Sequence, residues 1–331
     1  MIALGIESTA HTYGVGIADD RGRILANVNE VFRTERGGMK PIEVTEHHYR
    51  VAKEVVMRAI EQGGVSYKDI DLVGFSRGPG LGSALLVGAI VARVLAEKLK
   101  VPLVGVNHAI AHIEIGRLMA RAQDPLIVFV SGGNTQIMVN SGRAFRIVGE
   151  TLDIGLGNAL DKVGRGVGLP FPAGRLMDDI EGRWISLPYT VKGMDLAFSG
   201  IVTEALRRYK NGAKLEDVVW SFMEVTFSML VEATERALAY TKKDELLLVG
   251  GVAASPRLRE KMGLMCKDRN VKLKVTPPEY SRDNGAMIAY ASILCYKIHG
   301  ALKLNESSIE PRWRVDDVDW PLLPLPSLDD A

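Results

Sequence analysis

Residues 125–149, PLIVFVSGGNTQIMVNSGRAFRIVG, decide the fold. The apolar runs PLIVFV, QIMVN and AFRIVG are separated by SGGNT and SGR, the punctuation of three strands joined by short turns. The same order of parts stands at the N-terminus: IALGIE at 2–7, STAHT, YGVGIAD at 13–19, DRG, and RILANV at 23–28. Each meander is followed by helical sequence, then by a strand that ends in glycines and opens a helix. In the first half this unit is DLVGFSRGPGLGSALLVGAIVARVLAEKL, 71–99, with a strand predicted over 71–75, a turn at Gly78, Gly80 and Gly82, and a helix from about Ser83. In the second half it is ELLLVGGVAASPRLREKM, 245–262, with a strand over 245–249 and a turn at Gly250 and Gly251. A doubly wound sheet alternates strand and helix from its first element, whereas both halves here begin with hairpins.

Two βββαβα units facing each other resemble the actin-like, sugar-kinase and Hsp70 ATPase fold, an α/β architecture of two lobes around a central nucleotide cleft. On this reading residues 1–124 form an N-terminal lobe and 125–310 a C-terminal lobe. Residues 311–331, with Trp313, Trp320, Pro321, Pro324, Pro326 and a terminal LPSLDDA, form a packing segment and linker-like tail. Composition sets the remaining bounds. A chain of 331 residues can bury a core in each of two lobes. No apolar run approaches the roughly 18–20 residues that span a bilayer, and MIALGIEST carries no export pattern, so no membrane association and a cytoplasmic location are expected. Cys266 and Cys295 are too few and too far apart for a disulfide framework and read as buried apolar residues. Lys plus Arg (41) nearly balances Asp plus Glu (40), so RNA binding would need a local patch or a partner.

Glycine is the compositional outlier, 34 of 331 residues against an average of about 7%. In Ser131-Gly132-Gly133-Asn134-Thr135 the glycine pair permits positive φ and close approach, so successive N–H groups can face one anion, although Gly-Gly-Asn also makes a plain hairpin turn. Glu7-Ser8-Thr9-Ala10-His11-Thr12 fills the matching turn of the first half and would supply hydroxyls and a carboxylate across the cleft. The glycines at 78–82 and 250–251 read equally as an anion site at a helix N-terminus and as close packing of helix on strand. Asp161, placed by GLGNALD at 155–161 where a helix begins, reads as a ribose ligand or a helix cap.

His108 and His112 follow Asn107, read as an N-cap, and their i, i+4 spacing puts both imidazoles on one helix face, able to close two positions on one metal. Both also read as unexceptional helix residues. Ala109 stands where a zinc protease needs its general-base glutamate, which excludes that chemistry. Asp283, in SRDNG just before a helix, is the candidate third ligand. His47 and His48 read as surface or cleft-edge residues without a role.

Together, IESTAH, GPGLG, NHAIAH, VSGGNTQ, GETLDIGLGNALD, MDLAFSG, LVGGVAA and RDNGAMIAY make residues 1 to about 320 resemble the tRNA threonylcarbamoyladenosine synthase family, in its archaeal and eukaryotic branch. The resemblance implies transfer of a threonylcarbamoyl group from threonylcarbamoyl-AMP, made by a separate synthase, to the exocyclic amine of the adenosine 3′ of the anticodon in tRNAs reading codons that begin with A. It implies the role of catalytic subunit in a KEOPS complex beside a small atypical kinase, fused to it in some archaea. It implies one metal, iron or zinc, on His108, His112 and Asp283. Phe129, Val130, Ser131, Gly132, Gly133, Asn134, Asp161, Gly174, Asp178 and Ser255 would contact the nucleotide, be it threonylcarbamoyl-AMP, ATP or AMP. Three positions depart from the family pattern. Phe129 stands where some relatives have a Tyr ligand. Ser255-Pro256 stands where Asn is usual, which should weaken a nucleotide contact. Ala173 replaces a glycine and is tolerable only where φ is negative. A sugar-kinase-like phosphotransferase or ATPase of the same fold is the alternative.

Overall fold

The computed structural model describes residues 1–33 and 40–327; the last four residues of the stretch read as a linker, 328–331, lie outside the described residues. The first meander forms as read: β1 (Ile2–Glu7), β2 (Thr12–Asp19) and β3 (Ile24–Val31) pair antiparallel. After α1 (Pro41–Gln62) come β4 (Leu72–Gly78), α2 (Gly82–Leu99), β5 (Leu103–Asn107) and α3 (His108–Ala120). The second half opens with β6 (Leu126–Val130), β7 (Thr135–Asn140) and β8 (Phe145–Glu150). A helical insertion follows: α4 (Leu156–Gly166), α5 (Gly174–Asp178), the two-stranded ribbon of β9 (Val191–Lys192) and β10 (Asp195–Leu196), α6 (Ser199–Lys210) and α7 (Leu215–Thr241). The half closes with β11 (Glu245–Val249), α8 (Pro256–Asp268), β12 (Lys272–Val275), α9 (Pro278–Ser281) and α10 (Gly285–His299).

The two five-stranded sheets repeat one topology, β3-β2-β1-β4-β5 and β8-β7-β6-β11-β12, with the inner strands parallel and the meander antiparallel. Inner strands such as LLLV of β11 are buried on both faces, which is why they read as unbroken apolar runs. Between the sheets lie α3 and α10, packed on each other. α10, from the C-terminal half, lies on the first sheet, and α3, from the N-terminal half, lies on the second. Small residues permit the first contact: a Cβ at Gly5 would fall 2.0 Å from the Ala289 backbone nitrogen, and one at Gly16 2.2 Å from that of Ala286. This packing brings the start of α10, with Asp283 just before it, to the end of β1 and the start of α3.

Candidate metal and nucleotide site

Asn107 caps α3, its Oδ1 accepting from the Ala109 and Ile110 amides at 3.0 and 3.3 Å. The cap makes His108 the first helical residue and sets His112 one turn on, with ring centroids 4.7 Å apart. Asn284 caps α10 in the same way, accepting from the Met287 amide at 2.9 Å, and so fixes its neighbour Asp283 at the helix entrance. Asp283 Oδ1 lies 3.2 Å from His112 Nε2 and 3.5 Å from His108 Nε2. One donor atom from each of the three falls within 4.8 Å of the others, a possible metal-binding group. Two imidazoles and a carboxylate are the donors that zinc or ferrous iron accepts.

Glu7 completes the arrangement from behind. Its Oε2 lies 3.0 Å from His108 Nδ1, and its Oε1 accepts from the Thr9 hydroxyl at 2.5 Å and the Thr9 amide at 2.6 Å. A carboxylate on Nδ1 leaves Nε2 of His108 turned toward Asp283, the orientation a metal-bound histidine requires. The sequence reading put Glu7 in the cleft, facing a ligand. It is fully buried instead, with both oxygens engaged. Burial alone would push the His108 pKa down, but the carboxylates of Glu7 and Asp283 outweigh it and raise it to about 9. Burial pushes His112 down. Burial would raise Asp283, yet the two histidines hold it well below the usual carboxylate range.

Phe129 is buried at the end of β6 with its ring 5.3 Å from that of His112, so it packs against the cluster and offers no donor. The turn after it, Ser131 to Asn134, is closed by the Ser131 amide donating to the Asn134 carbonyl at 2.8 Å. The amides of Gly157 and Asn158 donate to the carbonyls of Ser131 and Gly132, which seats the start of α4 under the turn. A Cβ at Gly155 would stand 2.5 Å from the Gly133 carbonyl carbon, whereas Gly133 itself has open space around it. Neither Gly132 nor Gly133 has positive φ. The glycines that matter for close approach are therefore Gly155 and Gly157, while the pair in the turn keeps it bare.

Other expectations need correction. Asp161 is neither at a helix start nor a cap; it sits within α4, where Gly155 is the N-cap, and accepts from the Ala173 amide at 2.8 Å, its pKa raised by burial. Ala173 has φ of −82°, so no glycine is needed there, and Gly164 makes room for its methyl. Ser255 caps α8, accepting from the Leu258 amide at 3.3 Å, while its hydroxyl donates to Asp178 at 2.5 Å. Pro256 is the first residue of α8, where a missing N–H costs nothing. Gly174 begins α5, the short helix ending at Asp178. Around Gly78–Gly82 the packing reading holds. The Gly80 and Leu81 amides donate to the carbonyls of Pro311 and Thr9, and a Cβ at Gly80 would strike Thr9. His48 is not at the surface: it is fully buried in α1 against Tyr13.

Two five-stranded sheets that repeat one topology, with α3 and α10 packed between them, define a member of the actin-like ATPase fold class. Solved structures with this fold include HypF of Thermococcus kodakarensis (TM-score 0.60, 14% identity, covering 93% of this chain and 49% of that one). Another is the activator of 2-hydroxyisocaproyl-CoA dehydratase from Clostridium difficile with bound ADPNP (TM-score 0.53, 14% identity, covering 88% and 94%). Residues 23–290 match the family model of TsaD, tRNA N6-adenosine threonylcarbamoyltransferase. Proteins of that description from Thermofilum pendens and T. kodakarensis are 52% and 49% identical, over 95% and 96% of this chain and 95% and 99% of theirs. The chain belongs to this family and is a transferase. It is also 49% identical, over 97% of its length, to 61% of a probable bifunctional tRNA threonylcarbamoyladenosine biosynthesis protein of Methanothermobacter thermautotrophicus. Among the described residues, no helix is long and apolar enough to cross a membrane.

Proposed function

We propose that this protein transfers the threonylcarbamoyl group of threonylcarbamoyl-AMP to the N6 amine of the adenosine 3′ of the anticodon, in tRNAs reading codons that begin with A. The observation that carries the reading is the convergence of His108, His112 and Asp283, with Glu7 behind His108, in a chain about half identical to threonylcarbamoyltransferases over nearly its full length. In this reading the three residues hold one divalent metal, iron or zinc, and the turn at 129–134 with Asp161, Gly174, Asp178 and Ser255 cradles the nucleotide. A bound cation would supply positive charge to the carbonyl or to the departing phosphate. Glu7 and Thr9 fix the tautomer of His108, and Phe129 keeps water from the inner side of His112. The bare Ser131–Asn134 turn offers backbone amides to phosphate oxygens.

The bifunctional relatives, in which the matched region is 61% of a longer chain, support work beside a second activity. The small atypical kinase and the other KEOPS subunits are the partners proposed. With a net charge of +1, the chain relies on that assembly for tRNA capture. The test is incubation of the assembled complex with threonylcarbamoyl-AMP and unmodified tRNA, followed by mass analysis of the tRNA. A threonylcarbamoyl mass gain that disappears in His108→Ala and Asp283→Ala, together with their bound metal, is expected. No gain with the parent protein overturns the reading.

A further inference from the structure

Five of the six histidines have a settled place. His108 and His112 belong to the metal-binding group, His47 and His48 pack against each other and against Phe32 and Tyr13, and His299 packs against Trp320. His11 differs. Among the described residues its imidazole has no hydrogen-bond or ion-pair partner, and it is only partly buried. It stands on the turn that leaves the buried Glu7, two residues after Thr9, whose amide and hydroxyl donate to that carboxylate. The Phe32 amide secures it further by donating to the His11 carbonyl at 2.7 Å. Its ring meets Phe171, from the insertion in the second half, edge-on at 6.3 Å. Asp283 before α10 and Asp161 on α4 both feel its charge, as does His48 on α1. His11 therefore reaches from one half of the chain to the other, between the metal-binding group and the segment that carries Asp161.

Threonylcarbamoyl transfer needs a proton acceptor. The adenosine N6 lone pair is delocalised into the purine, so the amine is a weak nucleophile, and its N–H becomes acidic only as the new bond forms. We infer that His11 is the catalytic base of the reaction: as N6 bonds to the carbamoyl carbon, the carbon–oxygen bond to the phosphate breaks, AMP leaves with that electron pair, and the N6 proton passes to the His11 imidazole. His108 and His112 cannot serve, because their ring nitrogens on the cleft side face Asp283. The inference rests on the transferase reading above.

The test uses the assembled complex at saturating threonylcarbamoyl-AMP, with single-turnover transfer followed from pH 5.5 to 9. The parent rate should rise with pH along an acid limb and then level. His11→Gln should lower the plateau by about a hundredfold and abolish the acid limb, with bound metal and AMP affinity unchanged. In His11→Ala, added imidazole should restore part of the rate. Transfer by His11→Gln within about threefold of the parent, a persisting acid limb without imidazole rescue, or a loss of metal or AMP binding that accounts for the fall would each overturn the assignment. A parent complex that transfers nothing removes the transferase reading and this inference with it. Normal parent transfer with an active His11→Gln removes this inference alone.

Discussion

The turn after β1 and the turn after β6 occupy equivalent places in two sheets of one topology, yet they are built in opposite ways. In the first, Glu7, Ser8 and Thr9 are buried, and Glu7 is tied by hydrogen bonds to Thr9 on one side and to His108 on the other. In the second, Gly132 and Gly133 stand exposed, without an ionisable side chain, on a platform made by Gly155 and Gly157. A buried charge needs close partners, so the first turn is committed to holding a side chain in one orientation. A bare turn has amides to spare and can meet an outside ligand. The repeated topology therefore provides two hairpin turns in equivalent places, and the sequence makes one an internal strut and leaves the other open.

The largest break in this comparison comes from removing the strut's charge. Glu7→Gln keeps the size of the side chain but no longer holds Nδ1 of His108 as a proton donor to a carboxylate. Metal affinity should fall by about 10–100-fold, the usual effect of losing a partner that orients a ligand. Competition with a chromophoric chelator measures it. Ser131→Ala, the nearest counterpart in the second turn, should leave metal affinity unaltered. Equal affinities in Glu7→Gln and the parent would mean that the buried carboxylate is merely structural.

How far this contrast could be read in advance depended on the reach of each interaction. Local pattern showed both meanders, the strand at 245–249 and the i, i+4 histidines, because strand alternation, turn chemistry and helix spacing are short-range. Asp283, 171 residues beyond His112, was a candidate from its place just before a helix, and the resemblance joined it to the histidine pair. Glu7 lies 101 residues from His108, and no periodicity announces that contact. Its one signal was a carboxylate at the end of an apolar strand, where the cost of burial demands a partner. His48 was misplaced because α1 was read as exposed on that face, and the burial comes from Tyr13 of β2 packing across it. Gly5 and Gly16 carry no local signal of α10, the helix that lies on them.

A smaller effect should separate the foundations of the two turns by pH. His48 lies beneath the first turn, near His11, His47 and Tyr13, and burial together with the His47 charge lowers its pKa from 6.5 to about 4. A histidine depressed in the folded state contributes stability that is complete above its unfolded pKa. That stability is lost as pH falls from about 6.5 toward about 4. Between pH 7 and pH 5 this group should cost about 2 kcal/mol. Urea unfolding of metal-loaded protein at the two pH values should show that loss, and His48→Gln should remove most of it. An unchanged pH dependence in His48→Gln would place the acid sensitivity elsewhere.

The smallest stability effect, and the sharpest test of openness, lies in the second turn. A methyl at Gly155 would stand 2.5 Å from the Gly133 carbonyl carbon and 2.6 Å from the Gly132 oxygen, both backbone atoms that cannot swing aside. Gly155→Ala should therefore lower stability by about 1–3 kcal/mol, the range for forcing atoms into a packed site. Gly133→Ala meets nothing within 4 Å and requires no positive φ, so its unfolding midpoint should stay within about 0.5 kcal/mol of the parent. If, as proposed, a nucleotide phosphate meets this turn, the same methyl would stand in its way, and calorimetric titration with AMP should show affinity reduced by about 1 kcal/mol, roughly fivefold. Stability and affinity should thus separate at Gly133 and fall together at Gly155. If Gly133→Ala binds AMP as the parent does, the turn is open for some reason other than nucleotide, and the contrast with the Glu7 turn reduces to one of packing.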